Sequence, residues 1–217
     1  MASQFIHITL PDGTRKQVPA GCTVREALTP EGGRLDAKVL AAKINGEPMD
    51  LSRPLEQDAT IEPLTFESAE GREVYRHSST HIMAQAVKEV FPTAQLTIGP
   101  ALDDGFYYDF AFDRPFTPED LEKIEARAIE IMKRGLTVTR SELSKQDAIK
   151  FFQERGEGYK VELINSFDDA SPISLYRQGE FVDLCRGPHL PTTGYVGAFK
   201  LLSTGGAYWR GDERNPM

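Results

Sequence analysis

No apolar run in this chain approaches the ~20 residues needed to cross a bilayer, and the first residues lack the pattern of a signal peptide. The expected compartment is the cytoplasm. Cysteine is nearly absent. Cys22 and Cys185 are the only two, and their contexts differ so much that no structural disulfide is expected. An excess of positive charge is missing too. With 25 Lys and Arg against 33 Asp and Glu, the net charge is −8. That excludes a protein gripping nucleic acid through bulk positive potential. It leaves open a pocket that reads only the end of a strand while another module holds the rest. Residues 1–66 carry 9 acidic and 7 basic side chains, so neither half is a basic tail. Internal repeats and low-complexity segments are also lacking.

Histidine is scarce but concentrated. Of the four in the chain, three fall in two motifs that also hold one of the two cysteines: His77-Ser-Ser-Thr-His81 and Cys185-Arg-Gly-Pro-His189. The i, i+4 spacing places His77 and His81 on one face of a helix. Pro188 cannot sit in a helix interior, so Cys185 to His189 reads as a strand end running into a rigid turn, where side chains are displayed. Imidazole and thiol groups converging in space make either a zinc site or a hydrolytic site.

At 217 residues the chain suits one large domain or two. Residues 5–9 alternate apolar and polar as a half-buried strand does. Pro11-Asp12-Gly13 turns the chain, and Thr14 to Val18 returns. Thr23 with Glu26 forms a capping box opening a short helix over 24–28. Residues 39–44 are strand-like, Asn45-Gly46 is the strongest hairpin turn signal, and 60–64 closes with another strand. This β-β-α-β-β order predicts a small ubiquitin-like β-grasp over 1–66. A polar stretch from Phe66 to Gly71 marks the boundary, and 67–217 is expected to be a second, α+β domain with a helix against an antiparallel sheet.

In that second part a long helix is expected from Glu73 to Val90. Strands are expected at 95–102 and 106–112, a helix from Thr117-Pro118 to Lys133 with Gly135 as C-cap, and a helix opened by Ser144 with Asp147. Further strands are expected at 159–164, 173–176, 181–185 and 199–203.

The zinc reading takes His77, His81, Cys185 and His189 as a tetrahedral set. The hydrolytic reading explains additional groups. Asp183 precedes Cys185 by two positions and so points to the same side of a strand, and Lys160 lies in what reads as an extended segment. Tyr107-Tyr108, Tyr176 and Tyr208-Trp209 suit half-buried packing or, as a set around a polar site, stacking on a base worth ~1–3 kcal/mol each.

Several strings together resemble the N-terminal part of bacterial threonyl-tRNA synthetases over essentially the whole chain. They are Arg76-His77-Ser-Ser-Thr-His81, Ile98-Gly99-Pro100, Asp104-Gly105-Phe-Tyr-Tyr108-Asp109, Gly158-Tyr-Lys160-Val, Val182-Asp183-Leu-Cys185-Arg-Gly-Pro-His189 and Gly206-Ala-Tyr208-Trp-Arg-Gly-Asp212. Alanyl-tRNA synthetase editing domains share the two paired motifs but not the Tyr-Trp-Arg-Gly-Asp segment.

The resemblance implies a small N-terminal TGS-type domain followed by an editing domain that hydrolyses seryl-tRNA mischarged on threonine tRNA. Its catalytic group would be His77, His81, Lys160 and Asp183, with Gly99, Tyr108, Tyr176, Cys185, His189 and Tyr208 binding the substrate. The imidazoles would orient water or shuttle protons, titrating near working pH. Lys160 would stabilise the oxyanion, and Asp183 would hold the substrate ammonium or set the Lys160 charge. Cys185 as a covalent nucleophile is the less favoured route. No cofactor is implied for editing. If zinc is present it would take His77, His81, Cys185 and His189. ATP, magnesium and a further zinc are expected only for an aminoacylation core whose motifs this chain does not contain. The partner is the tRNA acceptor end, with no membrane. The fragment is expected to be monomeric and the full-length protein a homodimer through that core. Two rivals remain, a freestanding trans-editing deacylase and a non-enzymatic zinc-bound interaction module.

Overall fold

The computed structural model describes residues 4–168, 172–209 and 214. The chain divides into two compact units, Met1–Tyr75 with Gly187–Pro191, and Arg76–Arg186 with Thr192–Met217.

The first unit is a mixed five-stranded sheet with one short helix. Its strands are β1 (Phe5–Thr9), β2 (Arg15–Pro19), β3 (Val39–Ile44), β4 (Glu47–Met49) and β5 (Ala59–Thr65), and its helix is α1 (Val24–Leu28). The order across the sheet is β2-β1-β5-β3-β4. β1 and β5 run parallel, while the other neighbours are antiparallel. The period of two in β1 puts Ile6 and Ile8 inside and His7 outside. The capping box forms as the sequence predicts, with Glu26 N–H donating to Thr23 Oγ1 and Thr23 N–H to Glu26 Oε2. Asn45 and Gly46 both adopt positive φ, 51° and 92°, the conformation a two-residue hairpin turn demands. Val24, Leu28, Ile44, Leu51 and Ile61 join the two strand isoleucines in the core. This is the β-grasp arrangement.

The second unit begins within α2 (Ala69–Val90). Every residue from Ser78 to Val87 is buried, so this helix has no solvent face along its middle. Two minimal strands, β6 (Gln95–Leu96) and β7 (Phe110–Ala111), pair antiparallel. α3 (Pro118–Arg134) starts at Thr117, whose side chain caps Asp120 N–H, and ends at Gly135 in the left-handed region. The sheet is β10 (Phe181–Leu184), β9 (Ile173–Gln178) and β8 (Val138–Leu143), antiparallel throughout. α4 (Lys145–Gln153) and α5 (Gly158–Asn165) cover it through Ala148, Phe152, Ile164, Leu175 and Val182.

Four expectations are corrected. Residues 159–164 form α5, not a strand. Apolar alternation at Tyr159, Val161 and Leu163 imitates a period of two, but Lys160 and Ile164 are the residues buried, one helical turn apart. The strands expected at 95–102 and 106–112 shrink to two-residue ladders, although Asp109 N–H still donates to Ile98 O and Leu102 N–H to Gly105 O. No strand forms at 199–203. There Leu201 N–H and Lys200 Nζ are held by the Glu125 carboxylate of α3 instead of by a sheet. β8 lies outside the strands the sequence predicts, because Val-Thr-Arg-Ser-Glu-Leu is a mostly polar edge strand with little apolar signal.

Among the described residues, no helix is long and apolar enough to cross a membrane.

Candidate active site

The second unit gathers a polar site from four separate elements: α2, α5, β10 and the loop before β7. His77 and His81 face the same way from α2, their rings edge to face with centroids 5.6 Å apart. Cys185, just past the end of β10, places Sγ 3.2 Å from His77 Nε2. Both His77 and Cys185 are partly exposed.

Behind them lies a buried charged group. Lys160 Nζ approaches Asp183 Oδ1 at 2.6 Å and donates to Tyr108 Oη at 3.0 Å. The Tyr108 hydroxyl in turn donates to Asp183 Oδ2 at 2.7 Å, and Leu184 N–H donates to Asp183 Oδ1 at 2.7 Å. Lys160 is 3% exposed and Asp183 1%. A buried ion pair of this kind is tolerable only because the remaining lone pairs and protons find partners.

The electrostatics follow from burial. Desolvation holds His81 down at about 3, against a smaller upward pull from Asp183. His77 is lowered for the same reason, again opposed by Asp183. His81 is thus neutral at pH 7, and its 3.8 Å approach to Asp183 Oδ2 is not an ion pair. The expectation that both imidazoles titrate near neutrality fails for His81. Burial pushes the Asp183 carboxyl upward, but Lys160, His81 and the Lys160 and Tyr108 hydrogen bonds outweigh it and hold it below the usual range. Burial and the Asp183 charge push the Tyr108 hydroxyl well above its ordinary value, so it stays a donor.

Gly99 makes room. A Cβ there would lie 2.2 Å from Tyr108 Cδ2, so only glycine lets the ring reach its place. Tyr108 and Tyr176 are 8% and 2% exposed. Tyr108 stacks on Phe110 with centroids 4.8 Å apart, and Tyr176 lies opposite Asp183 in the β9–β10 ladder with its hydroxyl turned to Arg186 O. Neither offers a free face to a base, which corrects the stacking expectation for these two rings. Tyr208 is 48% exposed, on the segment anchored by Trp209 Nε1 donating to Glu162 Oε1 at 2.9 Å. Arg210 to Asp212 lie outside the described residues. Beside Tyr108 opens a cleft of about 870 Å3, walled by the aromatic run 106–116 and by Lys200 to Ala207.

His189 belongs to the segment Gly187–Pro191, which clusters with the first unit. Its backbone N–H donates to Asp50 Oδ1 at 2.7 Å. By residue type, His77, His81, Cys185 and His189 are all able to ligate a metal ion. No sequence signal marks Gln178, whose amide donates to His81 O at 3.1 Å and Gln85 Oε1 at 2.9 Å. A lone glutamine in a strand carries no pattern that would mark it as a helix clamp.

Comparison with known proteins defines the class. Residues 6–65 match the TGS domain family, and 173–217 match the threonyl and alanyl tRNA synthetase second additional domain. The chain thus carries a segment like the TGS domain followed by one like the second additional domain of those synthetases. More particularly, it is homologous to the threonine–tRNA ligases. It is 54% identical over 213 residues to that of Symbiobacterium thermophilum, covering 98% of this chain and 33% of the relative. It is 53% identical over 212 residues to that of Citrifermentans bemidjiense, with 98% and 33% covered. It is 54% identical over 213 residues to that of Acidithiobacillus ferrooxidans, with 97% and 33% covered. The chain spans about a third of the length of the curated relatives it matches.

Proposed function

We propose that the second unit hydrolyses the ester joining serine to a threonine-accepting tRNA. The observation that supports this most is the buried Lys160–Asp183–Tyr108 set behind the partly exposed His77 and Cys185, since a purely structural metal site has no use for such a group. Water oxygen attacks the ester carbonyl carbon, the bond to the ribose oxygen breaks, and that oxygen takes up a proton. Because His81 is neutral at pH 7, it orients water as a hydrogen-bonding group and does not collect a proton in the resting site. His77, partly exposed, is the imidazole the attacking water would reach first. Lys160 supplies positive charge to the developing oxyanion, and Asp183 holds it in place or receives the substrate ammonium. Cys185 flanks the amino acid. The cleft beside Tyr108, about 870 Å3, is within the size range of small-ligand sites and would admit the terminal nucleoside, with Tyr208 at its approach.

The need for such a site is physical. Serine lacks one methyl of threonine, and a methyl is worth only ~1–3 kcal/mol of discrimination in a pocket. Offering seryl- and threonyl-tRNA to the chain tests the reading. Faster hydrolysis of the seryl ester is expected, and equal rates or no hydrolysis at high enzyme concentration would overturn it.

A second reading rests on the donor set itself. His77, His81, Cys185 and His189 have the ligand types and number of a zinc site. Zinc there would supply Lewis-acid or structural stabilisation. In the longer protein, ligation of threonine with ATP, magnesium and its own zinc, and dimerisation, would belong to parts outside this chain. The compartment we assign is the cytoplasm.

A further inference from the structure

Lys160 is delivered by α5, a helix of eight residues, from its first turn. That is an awkward place for a cation, because the N-terminal end of a helix carries partial positive charge, and the first turn contains no acid. The acid is one position earlier. Glu157, at the N-cap, makes no side-chain capping bond to its own helix. Its carboxylate instead points away and is 5% exposed. One oxygen accepts Leu96 N–H at 2.8 Å, and the other pairs with Lys88 Nζ at 2.7 Å. Lys88 completes its three donors on Pro92 O at 3.0 Å and Ala94 O at 2.8 Å. Glu157 O meanwhile accepts the Lys160 N–H at 3.1 Å and the Val161 N–H at 3.2 Å.

We infer that Lys88 and Glu157 are positioning residues that fix the start of α5 and so set the place of the Lys160 ammonium between Asp183 and Tyr108. The end of α2, the end of β6 and the N-cap of α5 are joined at one buried carboxylate. A displacement at Glu157 passes directly to Lys160 through the hydrogen bond between them. The Lys160 contacts come from β10 and from the loop before β7, elements separate from α5, so a shift of the first turn of the helix relative to them opens them. The consequence for hydrolysis rests on the function proposed above; the placement of the ammonium does not.

The 217-residue chain is therefore studied by two measurements. Lysine ammonium NMR signals are recorded, with the Lys160 signal identified by its loss in Lys160→Arg. That signal should broaden or disappear in Glu157→Gln and Lys88→Met and return in Lys88→Arg. Single-turnover hydrolysis of seryl-tRNA should fall roughly ten- to a hundredfold in the same two variants, the scale expected for a misplacement of about 1 Å, with unchanged affinity for the tRNA. In a Lys160→Ala background, Glu157→Gln should bring no further loss. An unchanged Lys160 signal, or a rate loss that adds fully to that of Lys160→Ala, overturns the inference. If Glu157→Gln does not fold, Lys88→Met decides alone. A parent chain that hydrolyses nothing overturns the proposed function, and the ammonium signal still decides the positioning.

Discussion

Lys160 Nζ and Asp183 Oδ1 lie 2.6 Å apart with both side chains almost fully removed from water. Truncating one partner strands the other as an uncompensated buried charge, at a cost of about 3–5 kcal/mol. Lys160→Met and Asp183→Leu should each lower the urea midpoint, and the double replacement should lower it less than the sum of the two. Trp209 is the only tryptophan and packs edge to face on Tyr159, so its fluorescence reports on the second unit. Strictly additive losses would show that the pair is not coupled. All three variants should lose seryl-tRNA hydrolysis.

Acid should weaken the second unit from the ordinary histidine value downward. His81 has a folded value of about 3 against an ordinary one of 6.5. Between those values the unfolded chain binds a proton that the folded chain does not, so stability rises with pH across this window and falls as pH drops through it. From pH 6.5 to 5 the loss amounts to roughly 1–2 kcal/mol, bounded by 1.36 kcal/mol for each unit. Asp183 acts in a lower window. Its folded value is depressed, so its contribution is present above the ordinary carboxylate range and disappears below it. His81→Gln should reduce the dependence between pH 6.5 and 5, leaving the share due to the likewise lowered His77 and the steep loss below pH 4. A variant with the parent's slope in the upper window would assign that slope to other groups.

Gly99→Ala inserts a methyl where the Tyr108 ring already lies, 2.2 Å away. Overpacking of this sort costs ~1–3 kcal/mol. The melting temperature should fall, and hydrolysis should fall with it as the Tyr108 hydroxyl leaves Asp183. Tyr108→Phe should reproduce the loss of rate without the overpacking. A thermal melt of Gly99→Ala matching the parent would mean that the loop yields more easily than its geometry implies.

Removing aromatic rings should separate packing from grip. Tyr108→Ala deletes a buried, stacked ring and should lower the melting temperature by several degrees, on the order of 3 kcal/mol or more. Tyr208→Ala deletes a half-exposed ring and should leave the melt nearly unchanged. If Tyr208 stacks on the terminal base, affinity for a seryl-adenosine mimic falls roughly tenfold to a hundredfold, the equivalent of ~1–3 kcal/mol. Unchanged affinity would remove Tyr208 from the substrate site.

Metal content separates the two chemical readings. Protein purified without chelator is expected to contain no stoichiometric zinc, and EDTA is expected to leave hydrolysis unchanged. One zinc per chain together with chelator-sensitive hydrolysis would instead make His77, His81, Cys185 and His189 a metal centre.

Much of this protein was legible in one dimension because its signals are local. Thr23 with Glu26, Asn45-Gly46 and Thr117-Pro118 through Gly135 are short-range capping and turn chemistry, and each appears in the fold where the residues predict it. The motifs at 77–81 and 185–189 marked His77 and Cys185, which the fold brings together with Sγ 3.2 Å from Nε2. Tertiary structure alone decided what happens where local and global preferences compete. Lys160 sits on a helix because burying Ile164 against α4 and the sheet outweighs an apolar alternation that suits a strand. Tyr108 is an interior hydrogen-bonding group, not a base platform, because Gly99 clears the volume its ring fills. The neutrality of His81 depends on how completely the surrounding chain excludes water, and the alignment of Lys160 depends on Lys88 and Glu157, 69 positions apart in sequence. Desolvation and long-range pairing are properties of the folded volume, and no spacing along the chain encodes them.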